Sequence, residues 1–244
     1  MVFVLSIVRS LTGANDYCFL HFNLEVFIVT TLKLYLEDSD LSEATAKIVE
    51  LINGEQRIIR LDRTIFHAQG GGQKSDIGLI DNVLVTHASH SDNYVDHYVS
   101  DFGNLEVGQE VNISIDINNR LIHSNHHVAG HLIAALIEKS FPDLQATGGH
   151  HWPGQARVEF SGTLPPIEKV QESLKSDLAE AIFEDIPVQV KGDPYGSRKI
   201  AIGDFPAVSC GGTHPKSLGT LREVEVTKIK SQKGVLRVSY SVAN

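Results

Sequence analysis

Two cysteines, Cys18 and Cys210, in 244 residues leave no room for a disulfide framework. A chain so poor in cysteine reads as one kept in a reducing compartment. No apolar run reaches the about 20 residues needed to cross a bilayer. The apolar start, Met1–Val8, has no basic residue ahead of it and meets Arg9 at once, unlike a secretory signal. The expectation is a cytoplasmic protein with no membrane partner. Basic residues are also in deficit, with 21 Lys and Arg against 30 Asp and Glu and a net charge of −9. That balance argues against a protein that coats nucleic acid indiscriminately. Internal repeats and low-complexity runs are absent as well.

What is present is an ordinary globular composition, 42% hydrophobic, in a length that suits one large domain or two modest ones. The charge is unevenly spread. Residues 191–244 carry +5 and residues 1–190 carry −14, so a polyanion partner would be met by the C-terminal part alone. Residues 1–25 show no steady period and are unassigned. Residues 26–36 predict a strand, and Ser42–Leu51 a short strand or helical turn before the tight-turn pair Asn53-Gly54. Further strands are expected at Gln56–Leu61 and Leu79–Val85, with a loop at Gly70–Gly72. Val111, Ile113, Ile115 and Ile117 alternate with polar residues, the mark of a half-buried strand.

A helix capped by Asn118 or Asn119 then runs over Arg120–Ser140, with Leu121, Val128, Leu132, Ala135 and Leu136 on its apolar side, and Pro142 ends it. A second opens at Pro165-Pro166 and keeps helical spacing through Ile167, Val170, Leu174, Leu178 and Ile182. Strands follow at Val188–Val190, Lys199–Ile202, Glu223–Ile229 and Val235–Val242. This order predicts an α+β chain: an unassigned 1–25, a glycine-loop β domain over 26–117, and an α+β domain over 118–244.

The chemistry lies in four places. His127 and His131 are four apart on the expected helix, so their imidazoles share a face and can share a metal. His123 forms a rival pair with His127 by the same spacing. Cys210-Gly-Gly-Thr-His214 offers a thiolate and an imidazole from a tight loop, and zinc suits such a mixed nitrogen and sulfur set. The zinc-protease helix needs Glu after the first His, where Val128 stands, and the zinc-deaminase signature needs a cysteine pair that is absent. In Phe66–Asp76 the pair Lys74-Ser75 resembles the end of a phosphate-binding loop, but Gln73 occupies the required glycine position. The three glycines there allow close backbone approach, and Gln73 brings a donor and an acceptor.

These motifs together resemble the alanyl-tRNA editing proteins (AlaX-like), free-standing relatives of the editing domain of alanyl-tRNA synthetase. The resemblance rests on Phe66–Gly78, Asp116–Leu132 with His127-Val-Ala-Gly-His131, Gly149–Phe160, and Ile202–His214 ending in Cys-Gly-Gly-Thr-His. It covers roughly residues 28–242. It implies one zinc ion per chain held by His127, His131, Cys210 and His214. It also implies an N-terminal β-barrel-like domain followed by an editing domain of the threonyl/alanyl-tRNA synthetase second-additional-domain type. The implied activity is deacylation of mischarged tRNA(Ala), chiefly Ser-tRNA(Ala) and also Gly-tRNA(Ala). A zinc-stabilised tRNA- or protein-binding module and an editor of Ser-tRNA(Thr) are the alternatives. Gln73 is expected to lie over the site and contact the ester or terminal ribose, with His151 as a supporting residue. Lys216, Arg222, Lys228, Lys230, Lys233 and Arg237 are the expected contacts to tRNA phosphates. One departure is Val128, where the family commonly has Thr.

Overall fold

The computed structural model describes residues 30–243, so the unassigned 1–25 and the first residues of the expected 26–36 strand lie outside the described residues. Among the described residues of that segment, Leu32–Lys33 (β1) forms a strand. Leu34–Leu36 winds into a single 3₁₀ turn that buries the Tyr35 ring.

The segment that sequence left between strand and helical turn is a strand of 11 residues, β2 (Glu43–Asn53). Its length follows from pairing on two sides. β3 (Arg57–Leu61), β4 (Arg63–Thr64), β5 (Gly78–Ile80), β6 (Val83–Ser91), β7 (Tyr94–Val99) and β8 (Glu110–Ile115) come next. Six of these pair in the order β2-β3-β7-β6-β5-β8 and close back on β2, while β1 runs parallel to β4. The single strand expected at Leu79–Val85 is two, because the chain reverses at Asp81, whose φ is 48°, a conformation that Asp tolerates better than most residues. β7 was not anticipated. Its residues Val95, Asp96, His97 and Val99 are all buried, so no polar and apolar alternation marks it. Ile48, Ile59, Leu61, Phe66, Ile80 and Ile113 fill the ring's interior.

Strand β8 stops at Ile115, and Asp116 caps helix α1 (Ile117–Ser140) by accepting the Asn119 N–H at 3.0 Å. The cap is therefore Asp116 rather than Asn118 or Asn119, because its carboxylate reaches a free amide of the first turn. Ile117 and Leu121, expected on apolar faces, are instead exposed. The chain continues through β9 (Leu144–His150), β10 (Arg157–Gly162) and α2 (Ile167–Phe183), then β11 (Val188–Lys191), β12 (Lys199–Ile202) and β13 (Val208–Ser209). β14 (Glu223–Gln232) and β15 (Val235–Ala243) end it.

An antiparallel sheet of order β14-β15-β10-β9 packs against the helices, beside a smaller sheet β11-β12-β13. β9 and β10 went unrecognised because Thr147-Gly148-Gly149 offers no strand signal. Val128, Leu132 and Leu136 from α1, Val170, Leu174 and Leu178 from α2, and Phe160, Leu236 and Val238 from the sheet make a second core. Fully burying such a side chain contributes about 1.5–3 kcal/mol. The chain is thus mixed α+β and mostly sheet, with two helices among the described residues. Neither helix is long and apolar enough to cross a membrane.

Candidate metal centre

Helix α1 carries two stripes. Val128, Leu132 and Leu136 enter the second core, while Arg120, Ser124, His127 and His131 recur at helical spacing as a polar stripe. Arg120, buried, holds this stripe to the ring. Its guanidinium pairs with the buried Asp76 carboxylate and donates to the Ile65 carbonyl at 2.6 Å and the Ser39 carbonyl at 2.7 Å. Asp76 in turn accepts the His67 N–H at 2.6 Å, which closes the glycine loop beneath the helix.

His127, His131, Cys210 and His214 come together, with all ligand atoms within 4.8 Å of one another. Cys210 Sγ lies 3.4 Å from His131 Nε2 and 3.5 Å from Nε2 of both His127 and His214. Tetrahedral zinc with bonds of about 2.05 Å to nitrogen and 2.3 Å to sulfur sets sulfur and nitrogen about 3.6 Å apart, which the three sulfur-to-nitrogen spacings match. His123, the rival, is buried one turn earlier on α1 and is not one of the four. Burial, reinforced by neighbouring histidines and Arg198, keeps these imidazoles neutral. His131 is pushed down to about 4, and His127 and His214 lie well below the usual histidine value. A neutral imidazole is the form that ligates metal. Burial pushes the Cys210 thiol up, opposed by the Gly212 N–H and the Arg198 charge. Arg198 is itself buried and donates to the Cys210 carbonyl and, at 2.9 Å, to the Leu36 carbonyl.

Gln73 occupies a different place from the one expected. It is completely buried, and its amide is engaged by the protein. Oε1 accepts from His127 Nδ1 at 2.7 Å and from the Thr213 N–H at 3.0 Å, and Nε2 donates to Thr213 Oγ1 at 2.7 Å. Thr213 and Ser124 share a further hydrogen bond at 2.6 Å. Because Oε1 can only accept, His127 Nδ1 carries the proton and Nε2 presents its lone pair to the cluster. Gly212 makes this packing possible, since a Cβ there would lie 2.2 Å from His127 Cε1 and 2.7 Å from Gln73 Oε1. At Gly211 an added Cβ meets nothing within 4 Å.

His151 is buried too, and its ring stacks on that of His127 at 4.7 Å between centroids. Its Nδ1 lies 2.7 Å from the Tyr240 hydroxyl, which donates to the His126 carbonyl at 2.7 Å. Burial pushes its pKa down to about 3. Val128, where the resemblance implies Thr, is wholly inside the apolar core. A cavity of about 1100 Å³ adjoins the cluster, with His131, Gly130, Gly148, Gly149, His151 and Ser209 in its wall.

The six basic candidates do not share one setting. Lys228, Lys230 and Arg237 lie on one exposed face of the β14–β15 pair, where Lys230 is opposite Arg237, and Lys233 sits in the turn between the strands. Arg222 is exposed just before β14. Lys216 lies apart, 2.7 Å from Asp40, and Arg237 contacts Glu159 at 2.7 Å. Arg120, Arg198, Thr213 and Tyr240 were missed by sequence reasoning. Only Arg120 left a signal there, as a charge in step with the histidine stripe.

The family of class II tRNA synthetases (A) matches residues 26–119. The alanyl-tRNA editing protein AlaX-M of Saccharolobus solfataricus is 30% identical over 87% of this chain and 99% of its own length. AlaX-M of Pyrococcus horikoshii is 30% identical over 82% of this chain and 92% of its own. The alanine–tRNA ligase of Methanococcus vannielii is 26% identical over 89% of this chain, which spans 26% of that larger enzyme.

Proposed function

The chain belongs to the alanyl-tRNA editing proteins, and from that premise we propose that it is a zinc-dependent deacylase acting in trans on tRNA(Ala) charged with the wrong amino acid. Serine is the chief substrate and glycine a secondary one. A synthetic pocket for alanine rejects smaller glycine or hydroxylated serine weakly, by about 1–3 kcal/mol, so a separate hydrolytic site must supply the remaining discrimination. The observation that carries the reading is the group of three imidazoles around one thiol beside a cavity, with ligand atoms within 4.8 Å.

His127, His131, Cys210 and His214 would hold one zinc ion. When bound, the ion would supply positive charge beside the ester, positioning the aminoacyl group or stabilising charge that develops on its carbonyl. Gln73 is a positioning residue that fixes the His127 tautomer through a 2.7 Å hydrogen bond. His151 presents its remaining ring nitrogen to the bound aminoacyl group. Lys228, Lys230, Lys233 and Arg237, with Arg222 and Lys216 at the margins, take the tRNA phosphates. The two separate cores favour a division near residue 117 into a barrel-like glycine-loop domain and an editing domain of the second-additional-domain type.

The test is deacylation of Ser-tRNA(Ala), Gly-tRNA(Ala) and Ser-tRNA(Thr) by the protein and its Cys210→Ala variant, with zinc content measured in both. We expect turnover of Ser-tRNA(Ala), little of Ser-tRNA(Thr), and loss of both zinc and turnover in the variant. Zinc-loaded protein that turns over none of the three would be a binding module instead. Turnover surviving the loss of zinc would remove the metal from the chemistry.

A further inference from the structure

Seven polar side chains line the cavity beside the cluster: His131, Glu138, Lys139, His151, Glu184, Asp204 and Ser209. Only His151 among them is buried, and three glycines make room for its ring. A Cβ at Gly130 on α1 would lie 2.3 Å from its Cε1, one at Gly149 on β9 2.5 Å from its Nε2, and one at Gly72 3.0 Å from its Cδ2. Its backbone N–H donates to the Gly72 carbonyl at 2.8 Å. Tyr240 then sets the tautomer. The single phenolic proton goes to the His126 carbonyl, so at 2.7 Å the oxygen accepts from His151 and Nδ1 carries the ring proton. Nε2 is left as a pure acceptor beside Gly149, and both residues stand in the cavity wall.

An editor must spare the alanyl ester, and the α-amino group cannot help because seryl, glycyl and alanyl esters all carry it. A buried acceptor can, because only serine brings it a donor and alanine would strip its water and leave it without a partner. We propose that His151 is the specificity-determining residue, with its Nε2 accepting the β-hydroxyl of the seryl group. This inference rests on the deacylase reading above.

The readout is the ratio of kcat/KM for seryl- over alanyl-tRNA(Ala), measured on zinc-loaded protein. His151→Leu should lower that ratio about 10- to 100-fold, whereas His151→Gln, which keeps an acceptor near the Nε2 position, should retain most of it. The native protein provides an arm that needs no variant. O-methylseryl-tRNA(Ala), which cannot donate, should react no faster than the alanyl ester. An O-methylseryl ester cleaved as fast as the seryl ester would overturn the assignment. So would a His151→Leu protein slowed by one common factor on seryl and alanyl esters. Native protein that cleaves no aminoacyl-tRNA(Ala) is a different failure, since it defeats the deacylase reading itself and this inference with it.

Discussion

Gly211 and Gly212 look interchangeable in Cys210-Gly-Gly-Thr-His214, yet the physical demand falls on one of them. Gly212 faces the His127 ring and Gln73 Oε1, both rigidly held, and an added methyl has nowhere to go. Gly212→Ala should therefore strip zinc from the purified protein, whereas Gly211→Ala should bind it normally. Equal zinc content in the two variants would show that the loop yields. Gln73 makes a graded version of the same point. Loss of a group that orients a metal-binding histidine typically costs about 10–100-fold in metal affinity. Gln73→Leu should lose zinc to a competing chelator at correspondingly lower concentrations while retaining the fold. Helical spacing and a short Cys-to-His loop made His127, Cys210 and His214 legible locally, but spacing left His123 and His131 as rivals and only the family resemblance chose between them. Gln73's burial was not legible, because its partner Thr213 lies 140 residues away.

Among elements, α1 matters most because it packs into the second core and its polar stripe is bonded to the ring side. One of its attachments to the ring is the Arg120–Asp76 pair, both side chains nearly inaccessible. Removing one member of such a pair leaves an uncompensated buried charge, at a cost of about 3–5 kcal/mol. Asp76→Ala should show that loss in urea unfolding, with a lowered zinc content as the stripe shifts. A loss under about 1 kcal/mol would mean that water or Ser39 compensates.

Inside the ring, His97 on β7 accepts a tautomer fixed by two partners, Ile59 O at 2.9 Å and Thr64 Oγ1 at 2.8 Å. Burial pushes its pKa down to about 4, while the unfolded chain titrates near 6.5. Protons therefore bind the unfolded state first. Stability from this group is intact above about pH 6.5 and falls toward pH 4, by up to about 3 kcal/mol. His97→Gln should flatten that part of the stability profile, and an unchanged slope would show that His97 is not its source. These elements also show what a linear pattern conceals. β3, β8, α1, α2, β12, β14 and β15 carry a period or a cap and could be read, whereas β2 stayed between strand and helical turn. β7 could not be read, because nearly all its faces are buried, and neither could β9, whose glycines stay extended only through pairing with β10.

At the scale of the whole molecule, the proposed function asks an acidic protein to bind a polyanion, and the fold concentrates what positive charge it has. Lys228 and Lys230 share a face of β14 with Arg237 opposite, and Lys233 closes the turn. Lysines along an edge strand also discourage sheet-to-sheet aggregation, which is reason enough for them to be there. Phosphate binding makes a demand that edge protection does not, since each neutralised phosphate releases counterions and steepens the salt dependence of affinity. Lys216 contributes little to that demand, being paired with Asp40 at 2.7 Å, and Arg237 is shared with Glu159. The three lysines 228, 230 and 233 should therefore account for most of the effect. Reversing all three to Glu should weaken tRNA(Ala) binding and make the plot of log affinity against log salt shallower by about 2 to 3 units. Zinc content and the hydrolysis of a small seryl ester should not change, because these side chains lie on an outer strand. A slope that stays as steep in the triple variant would place the tRNA on another face. A small-ester activity that falls with it would mean that the sheet, and not its charge, had been disturbed.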